Sequence, residues 1–323
     1  MAEVEPEPEF VVDVDRIDLV NTTLCDAFKQ ERGLFSGGFK QFLPQWNLPS
    51  EVEFDPPAIK VQDPLRASLY LWTCAFFERM NQSRYIITNA ARVWNDPNKR
   101  WFFHPVQVAT HSLEQISDIT LGEFQFNLTG LREEPPEKRY LDNALLLVNE
   151  YHGDPRKLIE ERTVEEARKN IMQFKGIGSG IANLYILYLL EREITSPTDP
   201  ENVLLKVDIH KARLLLNTQA VKTKSQRVRR GMLTPALEKA YLESSRRQGL
   251  DPRDLDAALW ITGSEGCARR DYSFCLYHCV LCDSLCTSLI GYDENTSDFL
   301  VFDDSQGTRR VDTRKNVGQL SLF

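Results

Sequence analysis

The chain has 323 residues, with 47 acidic and 39 basic side chains and a formal net charge of −8. Its hydrophobic fraction of 42% is enough to bury a sizeable core in one large domain or two modest ones. The start MAEVEPEPEF has neither the basic nor the apolar region of a secretion signal, and no apolar run approaches the length of a membrane span. We therefore expect a globular protein of the cytoplasm that does not enter membranes.

The negative charge is concentrated at one end of the chain. Residues 1–63 hold 13 acidic and 5 basic side chains, which accounts for the whole net charge. Residues 202–247 hold eleven Lys or Arg against three acids, a local balance of +8. Such a segment is either a solvated helix face or an anion-binding face on an otherwise acidic protein.

From residue 64 onward the apolar residues recur at helical spacing, beginning with the dense run LRASLYLWTCAFFERM. Further helices are predicted around residues 106–117, 139–152, 163–174, 181–193, 209–220, 234–247 and 252–262. No run of alternating strands and no internal repeat is evident, so the predicted fold class is mostly α. We divide the chain into an acidic, partly disordered N-terminal extension (1–63), a helical core (64–286) and a flexible tail (287–323).

The segment FKGIGSGIAN, residues 174–183, predicts a helical hairpin. A capping-box pattern beginning at Thr163 predicts a helix that ends near residue 175, and a second helix is expected to begin by residue 181. Between them Gly176, Gly178 and Gly180 are expected to allow positive φ and to leave backbone N–H groups open to a phosphate oxygen. A plain interhelical turn is the alternative. A Rossmann or Walker loop does not fit, because a helix precedes the glycines and no Lys-Ser/Thr follows them.

Asp208 lies at the head of the next predicted helix, in LLKVDIHKARLLL. On its own, an acid in this place is read as an N-cap. A glycine-rich helical hairpin followed by V-D-x-H-x-x-R, however, resembles the helix-hairpin-helix DNA glycosylase superfamily, whose members remove damaged or mismatched bases. By this resemblance GIGSGIAN is the DNA-gripping hairpin and VDIHKAR the catalytic segment. The resemblance spans roughly residues 64–286 and implies a two-lobed helical fold.

The resemblance also implies roles for single residues. Asp208 is the catalytic carboxylate, which stabilises an oxocarbenium-like transition state and orients or deprotonates the attacking water. The hairpin glycines, with Lys175 and Lys211, contact the backbone of double-stranded DNA. Leu131 is the candidate for filling the gap left by a flipped-out base, and a helix-capping leucine is the alternative. Residues of the base pocket are expected in the segment CAFFERMNQSRY, at Glu78, Asn81, Gln82 and Tyr85.

Gly180 decides the expected type of reaction. Relatives that also cleave the strand carry a Schiff-base lysine two residues after the second hairpin glycine, and here that position is Gly180. We therefore expect a monofunctional glycosylase that leaves an abasic site. The alternative is an additional lyase activity with a displaced lysine, at Lys175, Lys206 or Lys211.

Five of the seven cysteines fall within twenty residues near the C-terminus, which favours a metal or cluster site over a dispersed disulfide framework. The endonuclease III-like branch of the superfamily ends in a CxxxxxxCxxCxxxxxC iron–sulfur loop, and GCARRDYSFCLYHCVLCDSLC resembles it with altered gaps. Two ligand sets fit: both contain Cys267, Cys279 and Cys286, and the fourth ligand is Cys275 or Cys282. The resemblance implies a structural [4Fe–4S] cluster, and a structural Zn²⁺ is the alternative.

The last five residues, QLSLF from Gln319 to Phe323, resemble the bacterial sliding-clamp-binding peptide, here at the end of a tether. We thus expect a monomeric DNA glycosylase of the bacterial cytoplasm, associated with the nucleoid and with the sliding clamp. A non-catalytic DNA-binding or damage-sensing module and a redox enzyme that uses the cluster are the competing hypotheses. The sequence does not predict which base is excised.

Overall fold

The computed structural model describes residues 10–37, 63–76, 83–124, 134–223, 227–269, 272–282, 285–286, 289–293 and 298–302. The chain divides into two compact units: unit 1 comprises residues 1–39 and 207–323, and unit 2 comprises residues 40–206. Within the described ranges helices far outnumber strands, which confirms the predicted mostly α fold class.

The α-helices, in chain order, are α1 (Val14–Lys29), α2 (Pro64–Ala75), α3 (Ser83–Asn95), α4 (Pro105–Val108), α5 (Leu113–Gly122), α6 (Pro136–Tyr151), α7 (Val164–Ile171), α8 (Ser179–Glu191), α9 (Ile209–Asn217), α10 (Arg230–Gln248), α11 (Pro252–Ile261) and α12 (Tyr272–His278). The strands are β1 (Phe10–Val12), β2 (Val221–Thr223), β3 (Arg227–Arg229), β4 (Leu289–Asp293) and β5 (Asp298–Phe302).

Unit 2 is built from α2 to α8 around a cluster of aromatic rings. The rings of Phe102 and Tyr140 stack with centroids 4.1 Å apart, and the Tyr140 hydroxyl donates to the Phe102 carbonyl at 2.6 Å. Trp72 on α2 lies between Tyr140 and Phe174, at centroid distances of 4.8 and 6.4 Å. Because Phe174 immediately precedes the glycine-rich turn, this cluster anchors the turn to the core of the unit.

Two helices of unit 2, α5 and α7, begin with capping boxes. Thr163 and Glu166 form the predicted capping box at the start of α7, with each side chain bonded to the other residue's backbone N–H. Ser112 and Gln115 form a second capping box at the start of α5. These bonds satisfy N–H groups that the first turn of a helix leaves without partners.

Unit 1 packs α9 against α10, α11 and the π-helical turn Thr262–Gly266, and it packs α1 against α10 and α11. The N-terminal segment is a structural part of this unit. Arg16 on α1 donates to the carbonyl of Leu285 at 2.8 Å and also to the carbonyl of Thr218. Gly33 has φ +60°, and a Cβ there would lie 2.6 Å from the carbonyl oxygen of His278, so this close approach requires glycine.

Two small antiparallel sheets complete unit 1. β1 pairs with β2, and β3, β5 and β4 form a three-stranded sheet in that order. Two of these strands lie within residues 287–323, which we expected to be a flexible tail, and β1 and α1 lie within the predicted N-terminal extension. The segments LIGYD and DFLVF are short and largely apolar, and they form the neighbouring strands β4 and β5. The composition of the surrounding residues had instead indicated an unstructured linker. The predicted boundaries at residues 63 and 286 stay predictions.

Among the described helices, none has the length and apolar character needed to cross a membrane.

Candidate functional site

The glycine-rich turn of unit 2 joins α7 to α8, as the hairpin prediction requires. Gly178 is the N-cap of α8, and Gly180 lies in the first turn of that helix. Of the three glycines only Gly176 uses the freedom to adopt positive φ, with a value of +87°. Phe174 and Ile177 are buried and anchor the turn, whereas Gly178 is exposed and a Cβ there would contact nothing within 4 Å. The backbone at Gly178 is therefore open to close approach by a binding partner.

Asn143 on α6 supports this turn from inside unit 2. Its side-chain amide hydrogen-bonds both the N–H and the carbonyl of Lys175, and the residue is buried. The sequence analysis missed it. A signal was present, since Asn143 lies on the apolar face of α6 with Tyr140, Ala144 and Leu147, and a polar residue there needs hydrogen-bond partners.

Lys175, a predicted phosphate contact, is exposed but already ion-paired. Its ammonium lies 2.8 Å from Glu134 Oε1 and 2.6 Å from Asp142 Oδ2. The hydrogen bonds that the Lys175 ammonium donates to Asp142 and Glu134 raise the pKa of Lys175, and the bond from Lys175 lowers the pKa of Glu134. Lys138 contacts the same two carboxylates. Lys175 would therefore have to exchange these partners for a phosphate when DNA binds.

Lys206, one of the candidates for a displaced lysine, runs beside Gly180. Its Cγ lies 3.5 Å from the point that a Gly180 Cβ would occupy. Residues 203–207 alternate between buried and partly exposed side chains, and Lys206 is on the partly exposed side. Strand-cleaving members of the family that this chain resembles carry their lysine at the position of Gly180. In this chain the aliphatic part of the Lys206 side chain lies next to that position.

Asp208 belongs to unit 1 and caps α9. Its Oδ1 accepts the N–H of His210 at 2.9 Å and that of Lys211 at 3.0 Å, and the residue itself is extended with φ −102°. His210 follows it on α9 with a strongly buried ring. Burial lowers the pKa of His210, and the charge of Asp208 opposes this effect. The first turn of α9 thus holds an oriented carboxylate and an imidazole whose pKa is lowered by burial.

Lys211 does not lie where the sequence analysis expected it. Its side chain is only 2% exposed, and its ammonium forms an ion pair with Asp256 on α11. A helical residue three positions after Asp208 points back into the packed face between α9 and α11, so a phosphate does not reach this ammonium. This finding corrects the prediction that Lys211 contacts DNA.

Five cysteines of unit 1 are close enough to influence one another's pKa. We call them the cysteine cluster: Cys267, Cys275, Cys279, Cys282 and Cys286. The Cys286 thiol donates to the Cys279 sulfur, which lowers the pKa of Cys279 and raises that of Cys286. Burial raises the pKa of Cys267 to about 12, and the charges of Cys279 and Cys275 act in the same direction. The charges of Cys267 and Cys282 act in turn on Cys286.

The interactions among these thiols bear on whether the cysteine cluster can bind a metal ion or an iron–sulfur cluster. Thiols that lie close to one another resist simultaneous ionisation unless a cation compensates their charge, so this donor set is compatible with a metal centre or an iron–sulfur cluster. Among the described residues, no three His, Cys, Asp or Glu side chains form a site for a single metal ion. In a [4Fe–4S] cluster each thiolate binds a different iron, so its ligands need not converge on one point.

No protein-family model matches this chain, and no curated protein matches it by sequence.

The remaining predicted site residues are mostly outside the described residues. These are Leu131, Glu78, Asn81, Gln82 and the segment from Gln319 to Phe323. Tyr85 is described, on α3, with a side chain that is 38% exposed.

Proposed function

We propose that this protein is a DNA glycosylase that hydrolyses the N-glycosidic bond of a damaged, mismatched or modified base. The observation that carries the proposal is the α7–α8 hairpin, whose turn exposes its backbone at Gly178, in a chain that continues into a helix capped by the carboxylate of Asp208. An open backbone at a helix N-terminus suits a phosphate group. A carboxylate oriented by two backbone N–H groups suits catalysis at a developing positive charge.

In the proposed reaction the base is first flipped out of the duplex. As the C1′–N bond breaks, Asp208 stabilises the positive charge on the sugar and accepts a proton from the attacking water. The water oxygen bonds to C1′, and the base leaves with its bonding electron pair and takes up a proton from solvent, while Asp208 returns the proton of the attacking water to solvent. With Gly180 at the position of the hairpin lysine, the product is an intact strand with an abasic site.

The cysteine cluster is proposed to hold a [4Fe–4S] cluster, which when bound supplies a rigid cross-link for the loop. Cys267, Cys279 and Cys286 belong to both candidate ligand sets, and Cys275 or Cys282 completes the set. The alternative is a structural Zn²⁺ bound by the same thiolates.

The proposal is tested with duplex oligonucleotides that each carry one lesion or mismatch, incubated with purified protein and analysed with and without alkali. Breaks that appear only after alkali are expected, because hydrolysis leaves an abasic site that alkali cleaves. Asp208→Asn should abolish base release and retain DNA binding. Binding without base release from any substrate would instead favour a non-catalytic DNA-binding module.

A second candidate activity is strand cleavage by a lysine displaced from the hairpin. The Lys206 stem lies 3.5 Å from the point that a Gly180 Cβ would occupy, which favours Lys206 for this role over the buried Lys211. The ε-amine would attack C1′ of the ring-opened abasic sugar, and loss of one water would give an imine. Borohydride trapping on a preformed abasic site should then link DNA to the wild type and not to Lys206→Arg. Absence of a covalent product with the wild type would rule this activity out.

We further propose that the segment from Gln319 to Phe323 binds the bacterial sliding clamp. A variant that lacks these five residues should lose binding to purified clamp and keep its affinity for DNA. Unchanged clamp binding by the truncated chain would contradict the assignment.

A further inference from the structure

Lys211 is held at three points, by the N-cap of its own helix α9 and by two other helices of unit 1. Its backbone N–H donates to Asp208 Oδ1 at 3.0 Å, its carbonyl accepts from the Tyr241 hydroxyl at 3.2 Å, and its ammonium pairs with Asp256. Tyr241 belongs to α10 and is fully buried, and Asp256 belongs to α11. The position of Lys211 is therefore determined by the two helices that pack against α9.

The same residue determines how the carboxylate of Asp208 is oriented. One oxygen of this carboxylate, Oδ1, accepts both backbone bonds, from His210 and from Lys211. Two donors on one oxygen fix both the direction and the rotation of a carboxylate relative to the helix terminus. A shift of Lys211 moves one of these donors and so reorients Asp208.

A buried ion pair is not explained by stability alone. Taking both charges out of water costs free energy, and an apolar pair of similar volume would pack at least as well. The Lys211 side chain is almost completely buried, and the Asp256 side chain is largely so. What the charged pair adds over an apolar contact is direction, because an ammonium and a carboxylate prefer one geometry.

We propose that Asp256 and Tyr241 are positioning residues, which act through Lys211 to hold the Asp208 carboxylate in its working orientation. The inference rests on the proposed function, in which Asp208 is the catalytic group. Neither residue contacts the substrate. A displacement of the carboxylate by about 1 Å is enough to slow a reaction on the order of 100-fold.

The test compares four variants with the wild-type full chain: Asp256→Asn, Asp256→Glu, Tyr241→Phe and the double variant Lys211→Met with Asp256→Leu. Asp254→Asn is the matched control, since Asp254 also lies on α11 and pairs with a lysine, Lys29, at 3.6 Å near the surface. For each variant we measure the single-turnover rate of base release, the Kd for DNA, thermal unfolding and the ¹³C resonance of the Asp208 carboxyl.

Asp256→Asn should slow base release about 10- to 100-fold with an unchanged Kd and should shift the Asp208 resonance. Asp256→Glu, which keeps the charge, should restore part of the rate. The double variant should unfold at or above the wild-type temperature and remain slow, because it keeps the packing and loses the directed pair. Asp254→Asn should match the wild type.

A double variant that is both stable and fully active would overturn the proposal, since the pair would then be structural only. A wild-type Asp208 resonance in Asp256→Asn would overturn it as well. This resonance is independent of catalysis. If the wild type releases no base, the proposed function fails, and the resonance still decides whether Asp256 orients Asp208.

Discussion

Asn143 hydrogen-bonds both backbone groups of Lys175: its Oδ1 accepts the N–H at 2.7 Å and its Nδ2 donates to the carbonyl at 3.0 Å. One buried amide thus holds the backbone on both sides of Lys175, where the chain enters the glycine-rich turn. This bidentate contact ties the turn to α6 independently of the aromatic anchor at Phe174. The turn is thereby held ready for a ligand before any ligand binds.

Asn143→Ala should destabilise the protein by about 1–3 kcal/mol, because it removes two hydrogen bonds of a buried amide to partly buried backbone groups. The proposed DNA affinity should fall as well, since the turn would no longer be held in place. Chemical denaturation and DNA titration measure the two effects. Asn149→Ala, an exposed asparagine on the same helix, is the control and should change neither quantity. Equal stability of the two variants would contradict the role of Asn143.

Asp208→Asn should separate the capping role of Asp208 from its proposed catalytic role. Asparagine caps a helix about as well as aspartate, so the free energy of unfolding should change by less than about 0.5 kcal/mol while base release is lost. Asp251→Asn is the matched control, because Asp251 caps α11 with a bond of 2.8 Å to the N–H of Arg253. Base release by Asp208→Asn at the wild-type rate would remove Asp208 from the mechanism.

Glu134→Gln combined with Asp142→Asn should free the Lys175 ammonium from its two carboxylates. We expect tighter DNA binding at low salt and a steeper decline of affinity with salt, by about one unit in the logarithmic slope. Affinity measured across a salt series checks this, with Glu150→Gln on the exposed end of α6 as the control. The contradicting outcome is an unchanged affinity when Lys175→Ala is added to this double variant. In that case Lys175 does not contact phosphate.

His210 should make stability depend on pH in a defined window. Burial lowers its pKa below the ordinary value of 6.5, so the unfolded chain binds a proton that the folded chain excludes. The contribution of this residue to stability is present above pH 6.5 and is lost as the pH falls through the lowered pKa, with a slope of up to about 1.4 kcal/mol per pH unit. Urea unfolding between pH 7.5 and 5 measures the slope.

In the same experiment His210→Gln should show a flatter dependence on pH. The control is His152→Asn, because His152 is exposed at the left-handed C-cap of α6, a conformation that asparagine also tolerates. Identical slopes for wild type and His210→Gln would contradict the prediction.

Single Cys→Ser variants should identify the ligand set of the cysteine cluster. Cys267→Ser, Cys279→Ser and Cys286→Ser should each lose bound iron, and only one of Cys275→Ser and Cys282→Ser should do so. Iron and zinc content and the visible absorption of anaerobically purified protein are the measurements. Cys25→Ser is the control, since Cys25 is a buried thiol of α1 in the same unit. Metal-free wild-type protein would show that the thiols have another role.

The sequence by itself determined the local features of this protein, because they depend on neighbours along the chain. The capping box at Thr163 and the N-cap at Asp208 follow from side chains that bond backbone groups two or three residues away, and α8 follows from its apolar run after the glycine-rich turn. The close sequence spacing of the five cysteines likewise keeps them in one segment of unit 1, residues 267–286.

Only the tertiary structure decided which charges are accessible and which residues support the site. Lys211 reads as one more basic residue in a basic segment, yet its partner Asp256 is 45 positions away and the pair is buried. Asn143 and Lys175 are 32 positions apart. Burial and ion pairing depend on which helix faces meet, and residues distant in sequence determine that through packing. For the same reason, the inclusion of α1 and the strands β4 and β5 in unit 1 was beyond an analysis of local pattern.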